Sequence, residues 1–146
     1  MRRYAISFVF IFSIFSMTGH AQIIELSNAQ VQYEETLYPT IRTVINPEPK
    51  AVKKAWSDYM DDKYDVKMRG FGFLANKDVL YAEETTLGAV SEKQLNFYTK
   101  IVRSGEETSM DIFAKTLQGE VIDPDKDTAA FQTLNQMLIT FLDGFL

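Results

Sequence analysis

Residues 46–60, NPEPKAVKKAWSDYM, decide the fold of this chain. The apolar residues after the two prolines have the spacing of a helix that packs one face on a core: Val52, Ala55, Trp56, Tyr59 and Met60. A proline cannot donate a hydrogen bond to a strand ladder, and it suits the first turn of a helix. The stretch therefore predicts a strand that ends near Asn46 and an amphipathic helix that begins near Lys50.

The chain before this stretch is predicted to supply one strand and a less regular leader. Leu37–Ile45 largely alternates apolar and polar side chains, which is the pattern of a partly buried strand. Residues 22–36 begin apolar and become polar, which is typical of a leader or an edge strand. We therefore place the start of the folded domain at residue 37.

Further strands in hairpins are predicted after the helix. They are Tyr64–Leu74, Val79–Thr86, Gln94–Arg103 and Thr108–Leu117. The apolar side of the first of these strands switches midway, and a bulge near Gly70 or Gly72 would produce that switch. These segments predict a mainly antiparallel sheet of four to five strands.

A second helix is predicted at the end of the chain. Asp123 suits the cap of this helix and Pro124 suits its first position. An apolar stripe then continues towards the last residue: Phe131, Leu134, Leu138, Phe141, Leu142 and Phe145. The predicted order is β-α-β-β-β-β-α. Two helices with one apolar stripe each predict an α+β two-layer sandwich, in which both helices cover one face of the sheet.

Asp123, Asp125 and Asp127 repeat the opening of a calcium-binding loop. The sixth position of such a loop is Thr128 here instead of Gly, and the twelfth is Leu134 instead of Glu. Helix capping accounts for the three acids. We therefore predict no metal site.

Apart from His20, the chain has neither histidine nor cysteine. Nucleophilic triads, thiol catalysis and zinc sites built on histidine require these residue types. Adjacent acids such as Glu83 and Glu84 point in different directions in a strand or a helix, so they do not flank a substrate. No catalytic residue and no cofactor are predicted. An enzyme that relies on Asp, Glu, Lys or Tyr is the third of the functions considered.

Residues 1–21, MRRYAISFVFIFSIFSMTGHA, have the basic start, apolar run and small-residue exit of a signal peptide cleaved after Ala21. The apolar run is too short for a membrane span. Cleavage removes two arginines, so Lys and Arg fall from 15 to 13 against 20 Asp and Glu, and the formal charge goes from −5 to −7. The prediction is a signal peptide at 1–21, a leader or edge strand at 22–36 and a single domain at 37–146, in a periplasmic or secreted protein.

The helix Lys54–Met60, KAWSDYM, carries a Trp-x-x-Tyr motif between a proline-containing turn and a glycine-containing strand. In this pattern the chain resembles a family of small exported bacterial α+β proteins whose activity is uncharacterised. The resemblance spans most of the chain after residue 21. It implies a periplasmic or secreted protein and brings no functional residue.

An aromatic patch on the uncovered face of the sheet is the first candidate ligand site. Phe71, Phe73, Tyr98 and Phe113 fall among basic residues in the predicted strands. Aromatic and basic side chains together suit a surface that binds a protein or a glycan. The leading prediction is therefore an exported, non-catalytic binding or interaction domain of the bacterial cell envelope.

Trp56 and Tyr59 are the second candidate, as the lining of a pocket between sheet and helices, and they predict a carrier of a small apolar ligand. Core packing is the alternative for both groups of aromatic residues.

Met137, Ile139 and Leu146 would contact a partner chain if the last helix is apolar on two faces. The acidic chain, whose basic cluster is confined to one helix, is not expected to bind nucleic acid.

Overall fold

The computed structural model describes residues 24–70 and 78–146, which form one antiparallel sheet of five strands and two helices. In chain order the elements are β1 (Ser27–Tyr33), β2 (Thr36–Ile45), α1 (Pro49–Tyr64), β3 (Val79–Thr85), β4 (Leu95–Ser104), β5 (Glu107–Thr116) and α2 (Thr128–Phe145). The strands lie side by side in the order β1-β2-β5-β4-β3. Both helices pack on one face of this sheet, and the predicted α+β sandwich is confirmed.

α1 forms where the prolines and the apolar stripe predict it. Pro49 occupies its first turn, and Val52, Trp56 and Met60 face the sheet with 0% of their surface exposed. The Trp56 indole N–H donates a hydrogen bond to Thr99 Oγ1 on β4 at 2.8 Å. Because both groups are buried, this bond avoids the cost of leaving either polar atom without a partner.

The strands on either side of α1 differ from the prediction. Residues 27–33 form β1 at one edge of the sheet, which agrees with the edge strand given as one alternative for residues 22–36, but two strands now precede α1 and the observed order is β-β-α-β-β-β-α. No strand starts at Tyr64, because α1 continues to that residue and ends at Asp65. Asp65 adopts a left-handed conformation with φ 55°, and its N–H donates to Asp61 O at 3.0 Å, which closes the last turn of the helix.

The remainder of the predicted strand Tyr64–Leu74 contributes one isolated bridge in its described part, between Arg69 and Tyr81 on β3. Residues 71–77, which include Phe71 and Phe73, lie outside the described residues, as does the predicted signal peptide at 1–21.

α2 begins later than predicted, because the acids before it form a turn of their own. Its N-cap residue is Asp127 instead of Asp123. Asp123 Oδ1 accepts hydrogen bonds from the N–H groups of Asp125 at 2.8 Å and Lys126 at 3.2 Å. An aspartate that bonds to the backbone two residues onward stabilises a turn, and the helix starts only after that turn is complete.

The apolar stripe of α2 packs on the sheet beside α1. Its buried residues are Phe131, Leu134, Met137, Leu138, Phe141 and Leu142. Met137 is only 2% exposed and packs in the core, whereas Leu146 is 38% exposed, and contact of α2 with a partner chain stays a prediction. Within residues 24–70 and 78–146, neither helix has the length and apolar character needed to cross a membrane.

Candidate binding surface

A second apolar cluster lies on the sheet face that points away from the helices. Its centre is formed by Tyr38, Tyr98 and Phe113. The rings of Tyr98 and Phe113 stack with centroids 5.4 Å apart, and the Tyr38 ring lies 4.8 Å from that of Phe113. Tyr98 is 3% exposed and Phe113 is 1% exposed. These two residues share the face on which the sequence predicts an aromatic patch, but the exposure predicted for them is wrong.

The hairpin of β1 and β2 covers this cluster. β2 and β5 lie between β1 and β4, so Tyr33 and Tyr98 start three strand spacings apart, about 14 Å in a flat sheet. Their ring centroids are nevertheless 5.1 Å apart, and the Tyr33 ring also reaches Phe113 at 6.0 Å. The end of the hairpin therefore folds over the sheet and closes the second cluster.

Pro39 explains why the hairpin leaves the sheet at this point. β2 pairs with β5 from Ile45 to Ile41, and the same register would place Pro39 opposite Ala114. Proline has no N–H to donate to the Ala114 carbonyl. That carbonyl instead accepts a hydrogen bond from the N–H of Ile122 at 3.0 Å. The segment after β5 thus takes the place of β2, and the end of the hairpin is free to bend.

An ion pair between half-buried Arg42 and buried Asp111 fixes the base of the hairpin where β2 still pairs with β5. Asp111 is 2% exposed, and its carboxylate accepts from Arg42 Nε at 2.8 Å and from Arg42 Nη2 at 3.3 Å. The Thr40 hydroxyl donates to the Ile112 carbonyl at 3.0 Å on the same pair of strands. The hairpin is therefore held by polar contacts at its base and by tyrosine rings at its end.

The turn of the hairpin carries backbone strain. Glu34 and Glu35 form a two-residue connection, with φ values of 47° and 64°. Positive φ at both positions is the geometry of a type I′ turn, which favours Asn-Gly, and a residue with a side chain costs about 1–2 kcal/mol there. This choice of residues places two carboxylates at the end of the hairpin next to Tyr33.

Burial, and to a smaller extent the neighbouring Glu34 carboxylate, together raise the pKa of Tyr33 to about 12. Burial is also the main cause of a raised pKa at Tyr98, with smaller contributions from Tyr38 and Glu34. Both phenols are therefore neutral over the ordinary range of pH.

We expect Tyr33 to make stability depend on pH in alkaline solution. Tyrosines in the unfolded chain ionise near pH 10, whereas folded Tyr33 keeps its proton until about pH 12. Between these values the unfolded state binds fewer protons than the folded state, so the free energy of unfolding falls as the pH rises. Urea unfolding should show that the free energy of unfolding falls less between pH 9 and pH 11 in Tyr33→Phe than in the parent chain. Equal losses in both proteins would contradict the assignment to Tyr33.

The Tyr38 hydroxyl is buried without a hydrogen-bond partner among the described residues. We expect Tyr38→Phe to raise the free energy of unfolding by about 1 kcal/mol, because an unsatisfied buried hydroxyl is costly. Tyr59→Phe is the matched variant, since the Tyr59 hydroxyl donates to Met137 O at 3.3 Å. Removal of the Tyr59 hydroxyl should lower the free energy of unfolding by about 1 kcal/mol, because this hydrogen bond is lost. Thermal unfolding of the two variants decides, and a loss of stability in Tyr38→Phe would show that its hydroxyl has a partner.

The two edges of the sheet differ in their protection. On β3, Arg69 exchanges two backbone hydrogen bonds with Tyr81, at 2.7 and 2.9 Å. A bulge follows, in which Glu84 has φ 49° and its N–H donates to Asn96 Oδ1 at 2.9 Å, and Glu83 adds a second charge. Bulges and charges are the means by which natural sheets prevent pairing at an edge.

The β1 edge has none of these devices. Its sequence, SNAQVQY, contains no charge, no proline and no glycine. The residues beside a two-residue turn form a hydrogen-bonded pair, so Tyr33, Val31 and Ala29 bond to β2. Alternation then leaves the backbone N–H and C=O groups of three residues pointing outward: Asn28, Gln30 and Gln32. No hydrogen bond joins these groups to another element in the described part of the chain.

A groove of about 440 Å³ runs beside the middle of β1 on the helix side of the sheet. Asn28, Gln30 and Pro39 line it together with Asp123 and Asp125. The Asp125 side chain is exposed, whereas Asp123 is half-buried because its carboxylate bonds to the turn. An open strand edge and two carboxylates are thus brought together.

The residues predicted for an apolar pocket lie in the main core. Trp56 is 0% exposed, and the Phe141 ring packs edge-on against it at 5.0 Å. Tyr59 stacks on Trp56 at 5.6 Å and is half-buried. Trp56 therefore fills the space between helix and sheet in which a carrier would hold its ligand.

Sequence reasoning missed β1 as a surface, although one signal was present. Residues 27–33 are seven consecutive uncharged residues without proline or glycine, ahead of a strand that contains Pro39.

Among residues 24–70 and 78–146, no three or more His, Cys, Asp or Glu are grouped so that they could hold a metal ion. In comparisons with protein-family models, curated proteins and solved structures, nothing matches this chain.

Proposed function

We propose that this chain is an exported, non-catalytic binding domain of the bacterial cell envelope that takes an extended segment of a partner protein as an additional strand beside β1. The observation that carries the proposal is the uncharged outer edge of β1, which pairs with no other strand among residues 24–70 and 78–146. The predicted signal peptide at 1–21 supports export.

Strand addition uses the backbone of the partner, so it needs an edge whose N–H and C=O groups are free and in register. Asn28, Gln30 and Gln32 offer three donors and three acceptors in line. A partner segment of about seven residues would match the length of β1. The absence of charge on β1 means that no side chain of this strand must lose its hydration as an ion when the partner pairs with it.

The second aromatic cluster supports the proposal by fixing β1 before the partner arrives. Val31 is 6% exposed and belongs to this cluster, and Tyr33 packs on Tyr98. An edge that is already held in its bound conformation loses less conformational entropy on binding. The buried tyrosines therefore act as the anchor of the binding edge, instead of the exposed aromatic patch that the sequence predicts.

Capture from envelope extracts of the host tests the proposal with three baits: the parent chain, Gln30→Pro and Gln30→Thr. Gln30 faces Pro39 in a pair that is not hydrogen-bonded, so the proline removes an outward N–H and leaves the bonds to β2 in place. Threonine changes the side chain but keeps the N–H. We expect a protein that binds the parent and the threonine variant and is lost from the proline variant.

Circular dichroism of all three baits checks that each one is folded. Equal retention of the captured protein on Gln30→Pro would contradict strand addition. An extract from which the parent chain captures nothing would also count against an interaction domain.

A further inference from the structure

We infer that the partner segment is basic, and that it places a lysine or arginine opposite Gln30, with the charged end in the groove beside Asp123 and Asp125. This inference rests on the proposed function, because it names the chemistry of the segment that pairs with β1. The observation that carries it is the set of acidic residues along the β1 edge, which a basic segment would complement.

Acidic residues surround the β1 edge on three sides. Glu25 precedes the strand, Glu34 and Glu35 follow it, and all three are exposed. Asp123 and Asp125 line the groove beside its middle. A segment that lies along this edge therefore passes carboxylates at both ends and beside the middle of β1.

Among the described residues, few cations lie near this edge. Lys126 is the basic residue of the Asp123–Asp127 turn, and it is exposed. Arg42 lies near the start of β1, but its guanidinium is paired with Asp111 at 2.8 Å. The β3 edge differs, because Lys67 and Arg69 share a groove there with two glutamates. The excess of acid is thus a property of the β1 side.

The side of the strand that faces the groove is fixed by its alternation. Gln30 and Pro39 are directly opposite on neighbouring strands, and both line the groove. In an added antiparallel strand, the residue opposite Gln30 projects to the same side of the sheet. A lysine or arginine there has a stem long enough to run along Gln30 and keep its charged end in the wet groove.

A second copy of this chain is the competing occupant of the edge. If the β1 strands of two copies paired antiparallel with Gln30 opposite Gln30, Glu25 of each chain would face Glu35 of the other. Both chains are also acidic overall. Like charges placed directly opposite are destabilising. The charges at the ends of β1 therefore favour a basic partner over self-association.

Fluorescence titration with cyclised β-hairpin peptides tests the inference. The free strand of the first peptide reads TVTKTVT, and two matched peptides carry Gln or Glu at the central position. At low salt we expect the lysine peptide to bind about tenfold more tightly than the glutamate peptide, with the glutamine peptide between them. The preference should shrink at high salt, because screening weakens exposed charge pairs.

Two variants with the same change in net charge locate the effect. Asp125→Asn should remove most of the preference for lysine, since this side chain lines the groove and makes none of the hydrogen bonds that hold the turn. Glu106→Gln, in the turn between β4 and β5, should leave the preference unchanged. Loss of the preference in both variants would show a general charge effect and would overturn the inference.

The remaining outcomes separate the inference from the proposed function. If the three peptides bind equally well and none of them binds Gln30→Pro, the inference of a basic partner is contradicted, whereas strand addition at β1 is supported. Binding of the lysine peptide that survives in Gln30→Pro would overturn strand addition itself. Failure of every peptide to bind would overturn both. A dimer in light scattering that Gln30→Pro dissociates would identify a second copy as the occupant and overturn the basic partner.

Discussion

Phe113→Ala is expected to lower the free energy of unfolding by about 3–5 kcal/mol, which is the cost of truncating a buried phenylalanine. Phe113 is 1% exposed and touches the rings of Tyr33, Tyr38 and Tyr98, with centroid distances of 6.0, 4.8 and 5.4 Å. Its removal leaves a cavity under the β1–β2 hairpin. Urea unfolding followed by circular dichroism measures the loss.

Leu117→Ala is the matched control, because Leu117 follows β5 directly and is 43% exposed. A surface substitution of this kind changes stability by about 0.5 kcal/mol or less. Similar small effects at Phe113 and Leu117 would mean that Phe113 is an exposed ligand-binding residue, as the sequence predicts, and that the hairpin does not cover it.

Trp56→Ala is expected to lower the free energy of unfolding by about 3–5 kcal/mol. Trp56 is fully buried between α1 and β4, and its indole N–H is bonded to Thr99 Oγ1 at 2.8 Å. The alanine variant loses the ring contacts with Phe141 and also leaves the Thr99 hydroxyl without its partner. Thermal unfolding measures the effect.

Trp56→Phe separates the two contributions, since it keeps an aromatic ring and removes the indole N–H. It should cost less than the alanine variant. A stable Trp56→Ala chain that binds an apolar dye in the vacated space would instead favour a carrier, in which Trp56 lines a ligand pocket.

Periodicity was sufficient for the elements that bury one face. The stripe of α1, Val52 to Met60, and the stripe of α2 lie on the core as predicted, because a helix exposes its apolar face only at a high cost. Alternation likewise located β4 and β5. The boundary of α2 was wrong because Asp123 and Asp127 are both acceptable caps, and only the turn between them decides.

The exposed edge of β1 and the buried face of the sheet depend on information that alternation does not contain. Tyr98 and Phe113 are on the face away from the helices, where a flat sheet would expose them. Their burial follows from Pro39, which ends the pairing of β2 with β5 and lets the hairpin fold over. The second core thus forms where Pro39 has no N–H to offer β5, while the outer edge of β1 has no neighbouring strand among the described residues.

Hydrogen exchange of the β1 backbone amides, followed by NMR, tests the proposed binding edge most directly. The N–H groups of Asn28, Gln30 and Gln32 should exchange rapidly in the free chain, whereas those of Ala29 and Val31 should be protected by β2. Addition of the captured partner, or of the TVTKTVT hairpin peptide, should slow the exchange of the three outward amides. Protection of those amides in the free monomer, or unchanged exchange on binding, would contradict strand addition at β1.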